Sequence, residues 1–380
     1  MPTATAQNPP AAQADSRNYQ MNASELFSQN YFQARQKFLQ AARSARAQIT
    51  SYLHPHAKGP EGQDLFIDLA ITGPKNAAQA VVAISGTHGV EGYAGSAIQT
   101  GWLLSAEAQS PTVAQVFVHA LNPFGFAWNR RVTEENVDLN RNFVDWSKPR
   151  PSNDHYTQLC HAIAPTDLND ETLDAASRVL RNYAKDHGAF AMQATISKGQ
   201  YAHADGMYYG GQREQWSAAT LRNIVRQHLK HCQHAAVLDF HTGLGPYGDA
   251  ELISEDEVDA HAFRRAKEFW GAEVCSTRIG DSVSAQVYGS LDSAIPNMFA
   301  SAQTTTICVE YGTYSTLEVF QALRADNWLN TRAAPNHPDY AKIKAEIRKA
   351  FYPEHDDWKE KVWTRGKLVL SQALEGIGRS

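Results

Sequence analysis

Four short stretches of this 380-residue chain carry side chains that could act on one bond together. In Ser85-Gly86-Thr87-His88-Gly89-Val90-Glu91-Gly92, an imidazole and a carboxylate stand three residues apart among glycines. In Asp239-Phe240-His241-Thr242-Gly243, a second histidine again precedes a glycine. Neutral imidazole and carboxylate are ordinary ligands of Zn²⁺, and a catalytic zinc takes three protein ligands and one open position. His88, Glu91 and His241 make a His₂Glu set of that kind. By itself H-x-x-E is a weak signal, since a helix-capping histidine and a glutamate complementing the helix dipole share its spacing. A second histidine in a matching context strengthens it.

Thr306-Ile307-Cys308-Val309-Glu310-Tyr311-Gly312 ends an apolar run on a carboxylate, which is costly to bury without a partner. Beside a polarised water, Glu310 can take a proton and return it to a leaving group. The fourth stretch runs from Asn122-Pro123 through Arg130-Arg131 to Asp138-Leu139-Asn140-Arg141-Asn142. Guanidinium groups suit the two-point grip of a carboxylate and the steadying of an oxyanion.

The elements that must position these groups read as parallel α/β. Asp64 to Ile71 is β-like, and Ala78 to Ser85 is a continuous apolar run typical of a strand buried on both faces. A helix from about Tyr93 to Ala106 and a strand from Val113 to Leu121 follow, the pattern of a parallel unit. Ala235 to Phe240 and Thr304 to Glu310 are further buried strands. Ligands of such sheets bind beyond the carboxyl ends of the strands, where all four stretches begin. Before them, Asn22 or Ser24 can cap a helix reaching about Leu53, with His54-Pro55 as its stop. Residues 154–200 and Trp216 to His234 read as helical, as do Glu257 to Trp270, Thr316 to Asn330 and Asp339 to Tyr352. No repeat or long linker divides the chain. The expected organisation is a disordered tail over residues 1–20 and a single α/β domain over 21–380, with a helical insertion around 154–200.

The order of these motifs resembles the M14 zinc carboxypeptidase superfamily, and more closely its bacterial DUF2817 branch. H-x-x-E is His88/Glu91, N-P-x-G…R…D-L-N-R-N-F runs from Asn122 to Phe143, and the later histidine and glutamate are His241 and Glu310. The resemblance implies a mixed, mostly parallel sheet of about eight strands between helices, and one catalytic Zn²⁺ per chain held by His88, Glu91 and His241. By position it makes Glu310 the general base and acid, and Arg131, or its neighbour Arg130, the group that polarises the scissile carbonyl. Asn140 and Arg141 match the pair that holds a substrate's carboxylate. Tyr288 is the candidate for a mobile tyrosine, with Tyr311 and Tyr314 as rivals. The expected reaction is hydrolysis of an amide beside a free carboxylate, in a small peptide or in an N-acyl amino acid as in the aspartoacylase-type deacylases.

Composition narrows the alternatives. Lys and Arg number 35 against 40 Asp and Glu, so the chain lacks the basic footprint of a nucleic-acid binder. No apolar run approaches a membrane span, and no G-x-S-x-G elbow marks a serine hydrolase. The N-terminus has neither the basic nor the apolar region of a secretory signal. Cys160, Cys232, Cys275 and Cys308 form no C-x-x-C and read as reduced thiols, so a cytoplasmic location is expected. The competing class is a carboxylate-binding protein that keeps the pocket without catalysis.

Overall fold

Strand order sets where the chemistry can sit. In the structure, a computed structural model, eight strands form one sheet: β1 (Gln48–Lys58), β2 (Asp64–Thr72), β3 (Gln79–Ser85), β4 (Val113–His119), β5 (His234–Tyr247), β6 (Ala250–Ser254), β7 (Cys275–Ser276) and β8 (Gln303–Gly312). Their order is β1-β2-β4-β3-β5-β8-β6-β7. The structure describes residues 22–299 and 301–379, so the expected tail at 1–20 lies outside the described residues. The central strands β4, β3, β5 and β8 are parallel. The β1–β2, β2–β4 and β8–β6 pairs are antiparallel, giving the mixed, mostly parallel sheet.

Side chains alternate along each strand, so successive residues feed opposite faces. Val81 and Ala83 of β3 join one core with Ala236, Leu238, Ile307 and Val309. The helices Tyr31–Ser44, Gly92–Leu103, His261–Trp270 and Asp356–Gly378 cover that face and supply much of the rest of that core. Ala80, Val82, Ile84, Ala235 and Val237 join the other, covered by the helices Trp216–His228 and Leu291–Met298.

Two readings of the sequence need correction. The first helix does not reach Leu53: helices cover Ala23–Leu26 and Tyr31–Ser44, and β1 takes the next stretch. Asn30 caps the second helix by accepting the Gln33 N–H at 2.9 Å. Pro55 lies where the β1–β2 register breaks, between Leu53 and Lys58. Because β1 is an edge strand, a residue without an N–H is tolerated there. At the other end, the helix Asp356–Gly378 lies beyond the last element read from the sequence. Its Trp358, Val362, Val369, Leu370 and Ala373 are buried at helical spacing.

Three helices, Asp154–Ile163, Asp170–His187 and Ala189–Ser197, occupy the stretch expected as an insertion. They pack against the helices Thr316–Thr331 and Tyr340–Phe351 in a third apolar cluster that includes Leu180, Ile196, Leu323 and Phe351. None of the described helices is long and apolar enough to cross a membrane.

Candidate metal centre

The turn after β3 is built by close approach of backbone. Gly86 leaves the strand at φ 68, a conformation that costs glycine little. The short 3-10 turn Gly89–Glu91 then docks on the arginine loop: Gly89 N–H donates to Arg131 O at 3.1 Å, and Val90 N–H to Arg130 O at 2.9 Å. A Cβ at Gly89 would stand 2.0 Å from the carbonyl carbon of Gly125 and 2.2 Å from Phe126 N, and neither backbone atom can yield. Gly89→Ala should therefore cost at least about 1–3 kcal/mol of stability, as overpacking does. A denaturant midpoint unchanged from the parent protein would show that the turn does not depend on this contact.

Strand periodicity brings the second histidine and the late glutamate to the same place. Asp239 and His241 are two residues apart on β5 and so share a face. On β8, Ile307 and Val309 enter the first core, which leaves Cys308 and Glu310 on the opposite face. The register pairs His241 directly with Glu310.

A nitrogen of His88, a nitrogen of His241 and a carboxylate oxygen of Glu91 lie within 4.8 Å of one another, and all three residues are buried. His241 Nδ1 is 3.1 Å from His88 Nδ1 and 3.0 Å from Glu91 Oε2. His88 Nδ1 is 3.0 Å from Glu91 Oε1. The far nitrogen of each ring meets an aspartate, His88 Nε2 with Asp138 Oδ1 at 3.0 Å and His241 Nε2 with Asp239 Oδ2 at 2.6 Å. Asp239 is itself held by the Thr87 hydroxyl at 2.7 Å. Such carboxylates fix the tautomer and aim the other nitrogen.

This donor set fits a metal ion. With each Nε2–H donated to its aspartate, both Nδ1 atoms present lone pairs at 3.1 Å, and these repel unless a cation lies between them. A proton on His241 or a divalent metal satisfies that demand. Burial alone would lower the His241 pKa, but Asp239 and Glu91 overcome it and hold the ring well above its usual value. Burial also opposes charge on Glu91, yet His88, His241 and Arg131 keep its carboxyl below the usual range. Two imidazole nitrogens and a carboxylate are an ordinary Zn²⁺ set. Asp138→Asn or Asp239→Asn should weaken zinc binding by about 10–100-fold. Competition with a chromogenic chelator measures this, and unaltered affinity would deny the aspartates that role.

The surroundings decide between residues that the sequence left open. Arg131, not Arg130, reaches the centre: it donates to Glu91 Oε1 at 2.8 Å and to Asp138 Oδ2 at 3.0 Å. Arg130 instead donates to Asn136 Oδ1 at 2.8 Å, in a buried network with Asp326. Asn140 and Arg141 both line the cavity over the centre. Arg141 is anchored to Ser197 O at 2.9 and 2.6 Å and to Asn140 O at 2.7 Å, while Asn140 Oδ1 accepts the Leu291 N–H. Glu310 is buried beside Gly243 and accepts the Leu244 N–H at 2.9 Å. Burial, with the negative charge of Glu91, raises its carboxyl to about 7.

The structure does not bring Tyr288 to the cavity. Its backbone N–H bonds Lys198 O, and its ring lies 4.8 Å from the Lys198 ammonium. Tyr311 follows Glu310 in β8 and must face the other way, into the first core. Tyr314 packs at 5.6 Å from the Lys349 ammonium. The phenol that does line the cavity is Tyr208, held at φ 55 with its ring 5.5 Å from the Arg131 guanidinium and 5.7 Å from that of Arg141. No spacing marks Tyr208 in the sequence, because it comes from the loop after the helix Ala189–Ser197.

With this geometry in place, the chain belongs to a family defined by sequence. The profile of DUF2817, a protein family of unknown function, matches residues 27–365. No curated protein matches the chain. Among solved structures, it is similar to an aspartoacylase family protein from Mesorhizobium loti, with 15% identity over 77% of this chain and 68% of that one, at a TM-score of 0.36. A bovine thrombin-activatable fibrinolysis inhibitor shares 10% identity over 91% of this chain and 99% of that one, with a TM-score of 0.42. The carboxypeptidase A of Helicoverpa armigera shares 12% over 84% and 73%, with a TM-score of 0.40. These likenesses are loose, and the reading of the site rests on its own residues.

Proposed function

We propose that this protein is a zinc-dependent hydrolase, holding one metal ion per chain and cleaving an amide bond next to a free carboxylate. The observation that carries the reading is the convergence of His88 Nδ1, His241 Nδ1 and the Glu91 carboxylate in a cavity also lined by Glu310, Arg131 and Arg141. A divalent cation held by those three residues would supply Lewis acidity to the scissile carbonyl and lower the pKa of a nearby water.

The chain's own groups do the remaining work. Glu310 accepts the proton of the attacking water and passes it to the departing nitrogen. Its place beside His241, buried at the end of the strand, puts its carboxylate where it can both take and return a proton. Arg131 donates one N–H to Glu91 and one to Asp138, and the rest of its fork can hold the carbonyl oxygen as charge grows on it. Asn140 and Arg141 hold the substrate's carboxylate. The anchoring of Arg141 to the Ser197 and Asn140 carbonyls fixes its plane before substrate arrives.

Arg141→Lys is accordingly expected to raise KM by about 10–100-fold with a smaller change in kcat, since Lys cannot reproduce a planar two-point contact. Steady-state kinetics on any turned-over substrate checks this; an unmoved KM would remove Arg141 from carboxylate recognition.

Two substrates fit the class, a peptide C-terminus and an N-acyl amino acid. Metal analysis of the purified protein, followed by a panel of short peptides and N-acyl amino acids, tests the proposal. Zinc at one per chain with release of a free amine supports it. Zinc-loaded protein that binds these carboxylates and turns none over would favour the non-catalytic binding reading. We also propose a cytoplasmic setting, with which the four unpaired cysteines agree.

A further inference from the structure

We infer that the cavity is shaped for an apolar acyl chain, so that the substrate class is an N-acyl amino acid carrying a medium or long fatty acyl group. This rests on the hydrolase reading above and deepens it. The cavity holds about 600 Å³, within the range of pockets that enclose whole small-molecule ligands. An amino-acid head at the metal centre would fill only part of it.

The wall on the side of the helices over residues 154–200 and Thr316–Thr331 is largely apolar. Leu180 and Ile196 come from the inserted helices, Leu317, Phe320 and Leu323 from the helix Thr316–Thr331, and Phe351 from the end of Tyr340–Phe351. Leu180, Ile196, Leu323 and Phe351 are buried members of one packed cluster, so the surface is preformed. Two of the larger polar side chains among them, Gln193 and Arg324, are already engaged. Gln193 donates to Val283 O at 2.8 Å, and Arg324 donates to Ile163 O at 3.1 Å and Ala162 O at 2.8 Å. Leu317 is 65% exposed while lining the cavity, which places apolar surface at its opening. The charged groups that would hold the head gather at the centre: Arg131 bridges Glu91 and Asp138, and Asn140 N–H donates to Asp138. The acidic Glu255 and Asp292 come from other elements, the end of β6 and the helix Leu291–Met298. A polar head at one place and a packed, largely apolar wall beside it is the complement of an acylated amino acid.

The reaction this implies is plain hydrolysis. Water adds across the amide, the acyl carbon gains the hydroxyl to become a carboxylic acid, and the nitrogen leaves with the proton as a free amino acid.

Calorimetric binding of N-acetyl-, N-hexanoyl- and N-dodecanoylglycine to metal-free and zinc-loaded protein, with turnover measured on the same series, tests the inference. Affinity is expected to climb with chain length by up to about fourfold per methylene, the equivalent of ~0.8 kcal/mol, until the wall is covered. Ala184 lines the cavity one turn beyond Leu180 on the same helix, Asp170–His187, and Ala184→Trp should flatten that climb. Met192→Trp, from the neighbouring helix, makes the same test should the first variant melt early. A flat series in the parent protein, or an unchanged climb in a folded tryptophan variant, overturns the inference. The two readings fail separately. A climb without turnover keeps the acyl pocket and removes the hydrolase, whereas turnover of short peptides with a flat series does the reverse.

Discussion

Glu310→Gln should keep its fold and its zinc while losing about 10²–10⁴ in turnover, the usual contribution of a general acid–base group. The placement of the side chain is what makes the loss specific. β8 pairs with β5 so that Glu310 stands beside His241, while its Oε1 takes the Leu244 N–H. A glutamine oxygen can accept that same hydrogen bond, so the backbone at Gly243-Leu244 need not move. Only the ability to accept a proton is removed. Zinc content and turnover measured on one sample separate the possibilities: full activity would exclude Glu310 as the base, and loss of zinc would make it a ligand.

The same variant has a pH signature in the metal-free protein. The Glu310 carboxyl lies at about 7 in the folded chain against an ordinary 4.5, because it is buried near Glu91. A raised carboxyl stabilises the fold fully below its unfolded value, and that contribution is lost as pH rises through the folded one. The parent should therefore lose stability between about pH 4.5 and 7 in a way that the Gln variant does not. Melting temperatures of both proteins at pH 5 and pH 8 measure the difference. A pH response shared equally by the two would assign the loss to other groups.

His88→Ala has the second large effect, and it is of another kind. The ring supplies Nδ1 to the shared point and Nε2 to Asp138, so its removal takes away one donor and releases a buried carboxylate partner. Zinc should be lost from the purified protein, and turnover should fall to background with it. Arg131 still reaches Asp138 at 3.0 Å, which keeps that carboxylate paired and the fold intact. A folded, zinc-loaded His88→Ala protein would remove His88 from the ligand set.

Much of this centre is legible in the residues alone. His88, His241 and Glu310 each follow an apolar run, and a strand's period of two says which neighbours share a face. That period makes Asp239 a natural partner of His241, and it makes Tyr311, next to Glu310, a poor candidate for the cavity. The composition and pattern of residues 154–200 likewise point to helix. By contrast, Pro55 reads as a helix stop when it marks the irregular edge strand β1, because proline reports a missing N–H and not which element lacks it.

What the sequence determined by itself is the donor set, its order along the chain and the strands that end on it, since these depend on residue type and local periodicity. The tertiary structure alone decided which of two adjacent arginines enters the site. Arg131 turns to Glu91 and Asp138 because the Gly89–Glu91 turn docks on its loop, while Arg130 is drawn to Asn136. It alone brought Tyr208 between Arg131 and Arg141, and set Asp138 behind His88. It alone closed the helices Asp170–His187 and Ala189–Ser197 against Thr316–Thr331 to make a largely apolar wall. Each of these is a contact between segments far apart in sequence. Such contacts follow from how whole faces pack, and no local pattern of residues encodes a neighbour that arrives from another element.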